Sequence, residues 1–216
     1  MKRLIVYDLD GTLVDTLQDI TNAANFMLAQ MQAQPLMADQ VRRFVGRGMY
    51  QLVGDCLGTE DPERIAEGMR IYRAYYHEHL VDHSKLYPGA LEALNYFSSR
   101  TQVVISNKPN PYSADLLKAL GVSGFFMAVI GGDSPYPRKP DPASLKAMMV
   151  RAAASCDEAL VIGDSPVDVE TGRRAGVLTV AVTHGLADRE ALMAAAPDFL
   201  VASFKVLLRV AKKQGW

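Results

Sequence analysis

Leu4-Ile5-Val6-Tyr7-Asp8-Leu9-Asp10-Gly11-Thr12-Leu13-Val14-Asp15 is the stretch on which the fold turns. Its first four residues form a short apolar run, rich in β-branched and aromatic side chains, of the kind expected of a strand buried on both faces. The run stops at a carboxylate, and a second carboxylate and a glycine follow within three residues. Open α/β sheets bind their ligands at the carboxyl ends of parallel strands. A buried strand that delivers Asp8 and Asp10 to such an end therefore reads as one wall of an active site.

Downstream of residue 85 the pattern alternates. Residues 102–105, 127–130, 159–162 and 178–182 read as strands, and 199–201 as a short last one. Helical periodicity fills the segments between them, closed by turn residues such as Gly121. This alternation predicts a doubly wound parallel sheet of the α/β class, with right-handed crossovers. Between 15 and 84 the alternation is suspended. Ile20, Ala23, Ala24, Met27, Leu28 and Met31 recur at helical spacing, and Met49, Leu52, Val53 and Leu57 do the same. Pro62 is well placed in the first turn of a longer helix carrying Ile65, Met69, Tyr72, Tyr76 and Leu80. That Met and Tyr stripe reads as packing. The expected organisation is a core of 1–14 and 85–216, with an all-α unit of 15–84 inserted after the first strand.

Composition narrows the function. The 216 residues carry 23 Lys and Arg against 24 Asp and Glu, and 49% are hydrophobic, an ordinary globular balance. No block of like charge suggests a nucleic-acid arm or a membrane-binding face. No apolar run approaches the roughly 20 residues that span a bilayer. The chain enters a strand at once, without the features of a signal peptide, so a cytoplasmic protein is expected. Cys56 and Cys156 match no metal or redox spacing and read as two buried, reduced thiols.

Four loops at strand ends concentrate the chemistry: Asp8 and Asp10, then Ser106-Asn107, then Lys139, then Asp164 with Asp168. Alone, Ser106-Asn107 reads equally as a helix cap, Lys139-Pro140 as a solvated lysine, and Gly163-Asp164-Ser165 as a turn. Together, and in order along a doubly wound sheet, they face one crevice. Carboxylates crowded there repel one another unless a cation intervenes, and an all-oxygen set favours Mg²⁺. Asp8 and Asp164 are the expected side-chain ligands, with a backbone carbonyl near Asp10.

With these residues in place, the chain resembles the haloacid dehalogenase superfamily of aspartyl-phosphate phosphatases. Asp8-Leu-Asp10-Gly11-Thr12 matches the first family motif and Ser106-Asn107-Lys108 the second. Lys139-Pro140-x-Pro142 resembles the third, and Gly163-Asp164-Ser165-x-x-Asp168 the fourth. The resemblance implies a Rossmann-like core with a helical cap, Mg²⁺ and a small phosphorylated metabolite as substrate. It implies Asp8 as nucleophile, Asp10 as general acid and base, and Lys139 as charge neutraliser. Ser106, Asn107, Gly11 and Thr12 would hold the phosphate, and Asp168 would serve the metal through water or as an anchor for its ligands. A monomer or homodimer is expected, with no nucleic-acid or membrane partner.

Within the superfamily the chain is most similar to phosphoglycolate phosphatases, through the stretch Arg43-Phe-Val-Gly46-Arg47-Gly48 and the turn Tyr87-Pro88-Gly89. On its glycine-flanked loop, Arg47 could bind an anionic group of the substrate. Other readings are a sugar-phosphate mutase of the β-phosphoglucomutase type, or a phosphatase for pyrophosphate, nucleotides or sugar phosphates. A catalytically silent binding domain would need none of Asp8, Asp10, Lys139 and Asp164.

Overall fold

A computed structural model describes all 216 residues. Strand β1 (Leu4–Tyr7) is followed by a two-residue strand β2 (Val14–Asp15) and four helices, α1 (Leu17–Gln30), α2 (Ala38–Arg42), α3 (Met49–Leu57) and α4 (Pro62–Glu78). Strand β3 (Lys85–Leu86) pairs antiparallel with β2, so the chain leaves and re-enters the sheet region through one short ribbon. Then come α5 (Ala90–Tyr96), β4 (Thr101–Ile105), α6 (Tyr112–Ala119), β5 (Ala128–Ile130) and α7 (Ala143–Arg151). The chain ends with β6 (Ala159–Gly163), α8 (Pro166–Ala175), β7 (Leu178–Val182), α9 (Arg189–Ala194), β8 (Phe199–Val201) and α10 (Phe204–Gln214).

The main sheet has the order β5-β4-β1-β6-β7-β8, and every neighbouring pair in it is parallel. The order reverses direction on either side of β1, which sets the ligand crevice at its carboxyl end. All four β1 residues are buried, and the pleat divides them between two cores. Ile5 and Tyr7 join the larger apolar cluster, shared with α1, α3, α4, α5 and α10. Leu4 and Val6 join a second cluster with Val103, Leu145, Met148 and Val161 on the other face. The expected doubly wound parallel sheet is therefore what the chain forms.

Helix ends follow local chemistry. Asp61 caps α4 by accepting a hydrogen bond from Glu63 N at 3.0 Å, with Pro62 at the first helical position, where its missing N–H costs nothing. Ser165 caps α8, with Pro166 next and Asp168 reaching back to the Ser165 N–H. The ribbon β2–β3 and helix α9 carry no periodic signal in the sequence; two residues of ribbon are too few to show a period. Cys156 departs from expectation: Cys56 is buried, but Cys156 is exposed, because it opens the 3₁₀ turn before β6 on the protein surface. No helix is long and apolar enough to cross a membrane.

Candidate active site

Residues from four separate strand ends meet at the carboxyl edge of β1. Lys139 Nζ lies 2.8 Å from Asp8 Oδ1 and 2.6 Å from Asp168 Oδ1. Asp168 is fixed from the other side, its Oδ2 accepting hydrogen bonds from Ser165 Oγ at 2.6 Å and Ser165 N at 3.1 Å. Asp164 is held by Thr12 Oγ1 at 2.7 Å and by Leu186 N at 2.7 Å. One carboxylate oxygen from each of Asp8, Asp164 and Asp168 lies within 4.8 Å of the others.

The packing around these carboxylates needs glycine in two places. Gly11 adopts φ +82°, and a side chain there would run into the Asp164 carboxylate. A side chain at Gly163 would occupy the space of Asp168. The first and fourth motifs are thus interlocked by contact, which explains why Asp-x-Asp-Gly and Gly-Asp share this chain.

Three carboxylates and one ammonium leave this cluster net negative. Burial raises the Asp8 pKa to about 6, against the opposing pull of Lys139. Asp164 is pushed up to about 8 by burial and by the charges of Asp8 and Asp168. For Lys139, burial favours the neutral amine, but the neighbouring Asp168 and Asp8 charges outweigh it and hold the ammonium above its ordinary range. Asp8 Oδ1 is buried without a directed hydrogen bond, even though Lys139 Nζ is close. Three largely buried carboxylates with oxygens within 4.8 Å of one another and a single ammonium to balance them fit a hard divalent cation.

Asp10 stands apart from that cluster. Its carboxylate accepts hydrogen bonds from Thr16 Oγ1 at 2.8 Å and from Lys108 Nζ at 3.0 Å. Asp10 and Asp8 therefore share one crevice but face different partners. The Asn107 side chain staples the crevice: its Nδ2 donates to Gly46 O at 2.9 Å and Lys139 O at 3.0 Å, and its Oδ1 accepts from Lys139 N at 2.9 Å.

The residues expected to hold a phosphate divide. Ser106 and Asn107 line a pocket with Asp8 and Asp10. Gly11 and Thr12 do not: Gly11 N donates to Val14 O, Thr12 N to Leu9 O, and the Thr12 hydroxyl to Asp164. The turn consumes these donors internally, so Gly11 and Thr12 shape the site without facing its ligand. Arg47 lies on the rim, more than half exposed, and pairs with Asp55 of its own helical unit at 2.5 Å.

Two cavities meet at Asp8 and Asp10. An outer cleft of about 530 Å³ runs between α2, the Gly46-Arg47 loop and the loops after β6 and β7. An inner pocket of about 50 Å³ is roofed by Ile20, Met49, Leu52, Tyr72 and Tyr76 from the helices, over Ser106, Asn107 and Lys108. In the sequence Tyr72 and Tyr76 read as packing, and Lys108 has no role beyond its place in a motif. The tyrosines belong to a stripe whose period is that of any packed helix. Lys108 had a usable signal, since it directly follows Ser106-Asn107 at the end of a predicted strand.

Comparison with known proteins agrees with this geometry. The family model for haloacid dehalogenase-like hydrolases matches residues 5–182, and the chain belongs to that family. It is 37% identical over 195 residues to a phosphoglycolate phosphatase of Rhodospirillum rubrum, covering 86% of this chain and 81% of that one. It is 33% identical over 217 residues to phosphoglycolate phosphatase 1 of Pseudomonas aeruginosa, covering 96% and 79%. The crystal structure of a predicted phosphoglycolate phosphatase from Haemophilus somnus superposes with a TM-score of 0.92 at 26% identity, covering 97% of this chain and 98% of that one. Family and fold make this protein a hydrolase built on a Rossmann-like core.

Proposed function

We propose that the protein is a Mg²⁺-dependent phosphatase that hydrolyses a small phosphate monoester, 2-phosphoglycolate, through an aspartyl-phosphate intermediate. The observation that carries the reading is the convergence of Asp8, Asp10, Lys139 and Asp164 on one crevice, with Asp8 and Asp10 in different electrostatic settings. The names of its relatives point to the same substrate.

Asp8 is the nucleophile: one of its oxygens bonds to phosphorus as the ester oxygen departs, which splits one difficult displacement into two. A carboxylate is a weak nucleophile, so stabilisation of charge on the phosphoryl oxygens supplies much of the rate. Lys139, 2.8 Å from Asp8, is the side-chain cation placed to do this. The Ser106 hydroxyl and the backbone N–H of Asn107 bind the same oxygens, the Asn107 side chain being engaged by Gly46 and Lys139. Asp10, on the pocket side, gives a proton to the leaving oxygen and then takes one from the water that opens the aspartyl phosphate. Asp8 and Asp164 would hold Mg²⁺, with Asp168 beside them; the Asp10 carboxylate is engaged by Thr16 and Lys108, so its contribution would come from the main chain. When bound, the ion supplies positive charge that offsets the phosphoryl oxygens. Residues 15–84 act as a cap on the core of 1–14 and 85–216, shielding the reacting groups from bulk water.

Phosphate release from 2-phosphoglycolate with added Mg²⁺ tests the proposal. Activity abolished by EDTA and restored by Mg²⁺ is the expected result. Purified protein that releases no phosphate from any small phosphoester under these conditions would overturn it.

A further inference from the structure

Lys108 is the buried cation of the inner pocket. It is 8% exposed. Its Nζ donates to Asp10 Oδ1 at 3.0 Å and to the Tyr76 hydroxyl at 2.6 Å, and it sits 4.6 Å from the centre of the Tyr76 ring. An ammonium has three protons to donate; one forked between the two Asp10 oxygens, at 3.0 and 3.3 Å, and one given to Tyr76 leave a third. Its apolar neighbours in the pocket are Ile20, Val45, Met49, Leu52 and Tyr72, and the carboxylates there are Asp8 and Asp10. When Asp10 carries the proton that it donates, the Lys108 ammonium is left without a counter-charge, and a buried cation in that state favours an anionic ligand group over an uncharged one.

Position fixes what that ligand is. Asp10 protonates the leaving oxygen, so that oxygen lies against the Asp10 carboxylate. Lys108 contacts the same carboxylate. A substituent one or two bonds beyond the leaving oxygen therefore falls within reach of Lys108. The pocket is small, about 50 Å³; a water needs roughly 10–15 Å³ by the same kind of measure, so it holds a few heavy atoms and no sugar ring.

We infer that Lys108, held in place by the Tyr76 hydroxyl from α4, binds a carboxylate carried by the leaving group and so selects short phosphoesters with an acidic leaving group over those of equal length whose leaving group carries no charge. This assignment rests on the phosphatase reading above and deepens it. Arg47, paired to Asp55 outside the pocket, is not needed for it. Lys108 is the specificity-determining contact and Tyr76 its positioning residue.

The test compares kcat/KM for 2-phosphoglycolate with that for n-propyl phosphate, an ester of matching length whose tail carries no charge, in wild type, K108M and Y76F, with melting temperatures recorded. A charge-assisted hydrogen bond predicts that K108M lowers the phosphoglycolate-to-propyl ratio by about 10- to 100-fold, chiefly through KM. Y76F, which keeps the ring, should lower the ratio about threefold through loss of one hydrogen bond. A ratio unchanged in K108M, with both esters slowed alike, means that Lys108 only orients Asp10 and overturns the assignment. If K108M fails to fold, Y76F decides: an unchanged ratio overturns the assignment and a lowered one supports it. Wild-type protein that hydrolyses neither ester is a failure of the phosphatase reading instead, and is distinguished by its absent phosphate release.

Discussion

The site has a floor and a roof built on opposite principles. The floor comprises the loops after β1, β4 and β6 and the segment around Lys139, and its side chains are ionisable, crowded and mostly held by directed hydrogen bonds. Asp164 takes two such bonds and Asp168 three, counting Lys139. The roof comes from α1, α3 and α4 and is mainly apolar, with the hydroxyl of Tyr76 as the group that reaches the floor through Lys108. A pre-organised floor suits chemistry that every substrate shares, because stabilising charge on a phosphoryl group demands fixed dipoles and cations. A roof of packed side chains suits discrimination by size, because its shape follows from volume. The division predicts that substitutions among the floor's carboxylates and Lys139 change rate on all esters, whereas substitutions in the roof, and at Lys108 where the floor meets it, change preference among them.

The largest effect belongs to the nucleophile. D8N keeps shape and removes the attacking oxygen's charge, so kcat should fall by at least about 1,000-fold on every phosphoester. Stability should hold or rise, since one of three crowded carboxylates is neutralised. Phosphate release and thermal melting on the same preparation check both halves. Substantial residual turnover would place the nucleophile elsewhere and dissolve the distinction between floor and roof.

Next is K139M. Lys139 sits between Asp8 and Asp168 with its side chain 5% exposed. Removing one partner of a buried ion pair costs about 3–5 kcal/mol, or roughly 10 °C in melting temperature for a chain of this size. Activity and stability should fall together, in contrast to D8N. A K139M protein as stable as wild type would show that the cluster is not held by this cation.

The floor was largely legible in the sequence, and for a physical reason. Charged residues are costly to bury, so Asp8 at the end of a fully apolar strand and Asp164 at the end of another had to be there for a purpose. Order along the chain then supplied their meeting, because a doubly wound sheet brings its carboxyl ends to one edge. Sequence could not show that the Thr12 hydroxyl serves Asp164 rather than a phosphate, since either use requires the same residue in the same turn. The roof was much less legible. Tyr72 and Tyr76 recur at the spacing of any packed stripe, and only the approach of α4 to the loop after β4 reveals that the Tyr76 hydroxyl meets Lys108. Exposure misled for Arg47 and Cys156, whose surroundings are set by tertiary packing.

A moderate effect links metal, pH and stability. The Asp164 carboxyl is raised from an ordinary 3.8 to about 8, and Asp8 from 3.8 to about 6. Between those values the folded, metal-free protein retains protons that the unfolded chain has released. Stability therefore falls as pH rises from about 4 to 8. Metal-free protein should melt at a lower temperature at pH 8 than at pH 5. Mg²⁺ binds the deprotonated carboxylates, so its addition should raise the melting temperature more at pH 8 than at pH 5. A stabilisation by Mg²⁺ that is equal at both pH values would mean that the ion binds away from Asp8 and Asp164.

The smallest effect is expected at the rim. Arg47 is the residue that sequence alone favours for an anionic tail, being a cation on a glycine-flanked loop. In the structure its side chain is 56% exposed and its guanidinium is bonded to Asp55, while Lys108 is the cation inside the inner pocket. Exposed ion pairs contribute about 0–1 kcal/mol, so R47A should leave the fold intact and change kcat/KM for 2-phosphoglycolate by about threefold or less. Steady-state assays beside K108M rank the two cations directly. If R47A raises KM more than K108M does, the substrate's charge is read at the outer cleft, and the discriminating surface is the rim rather than the roof.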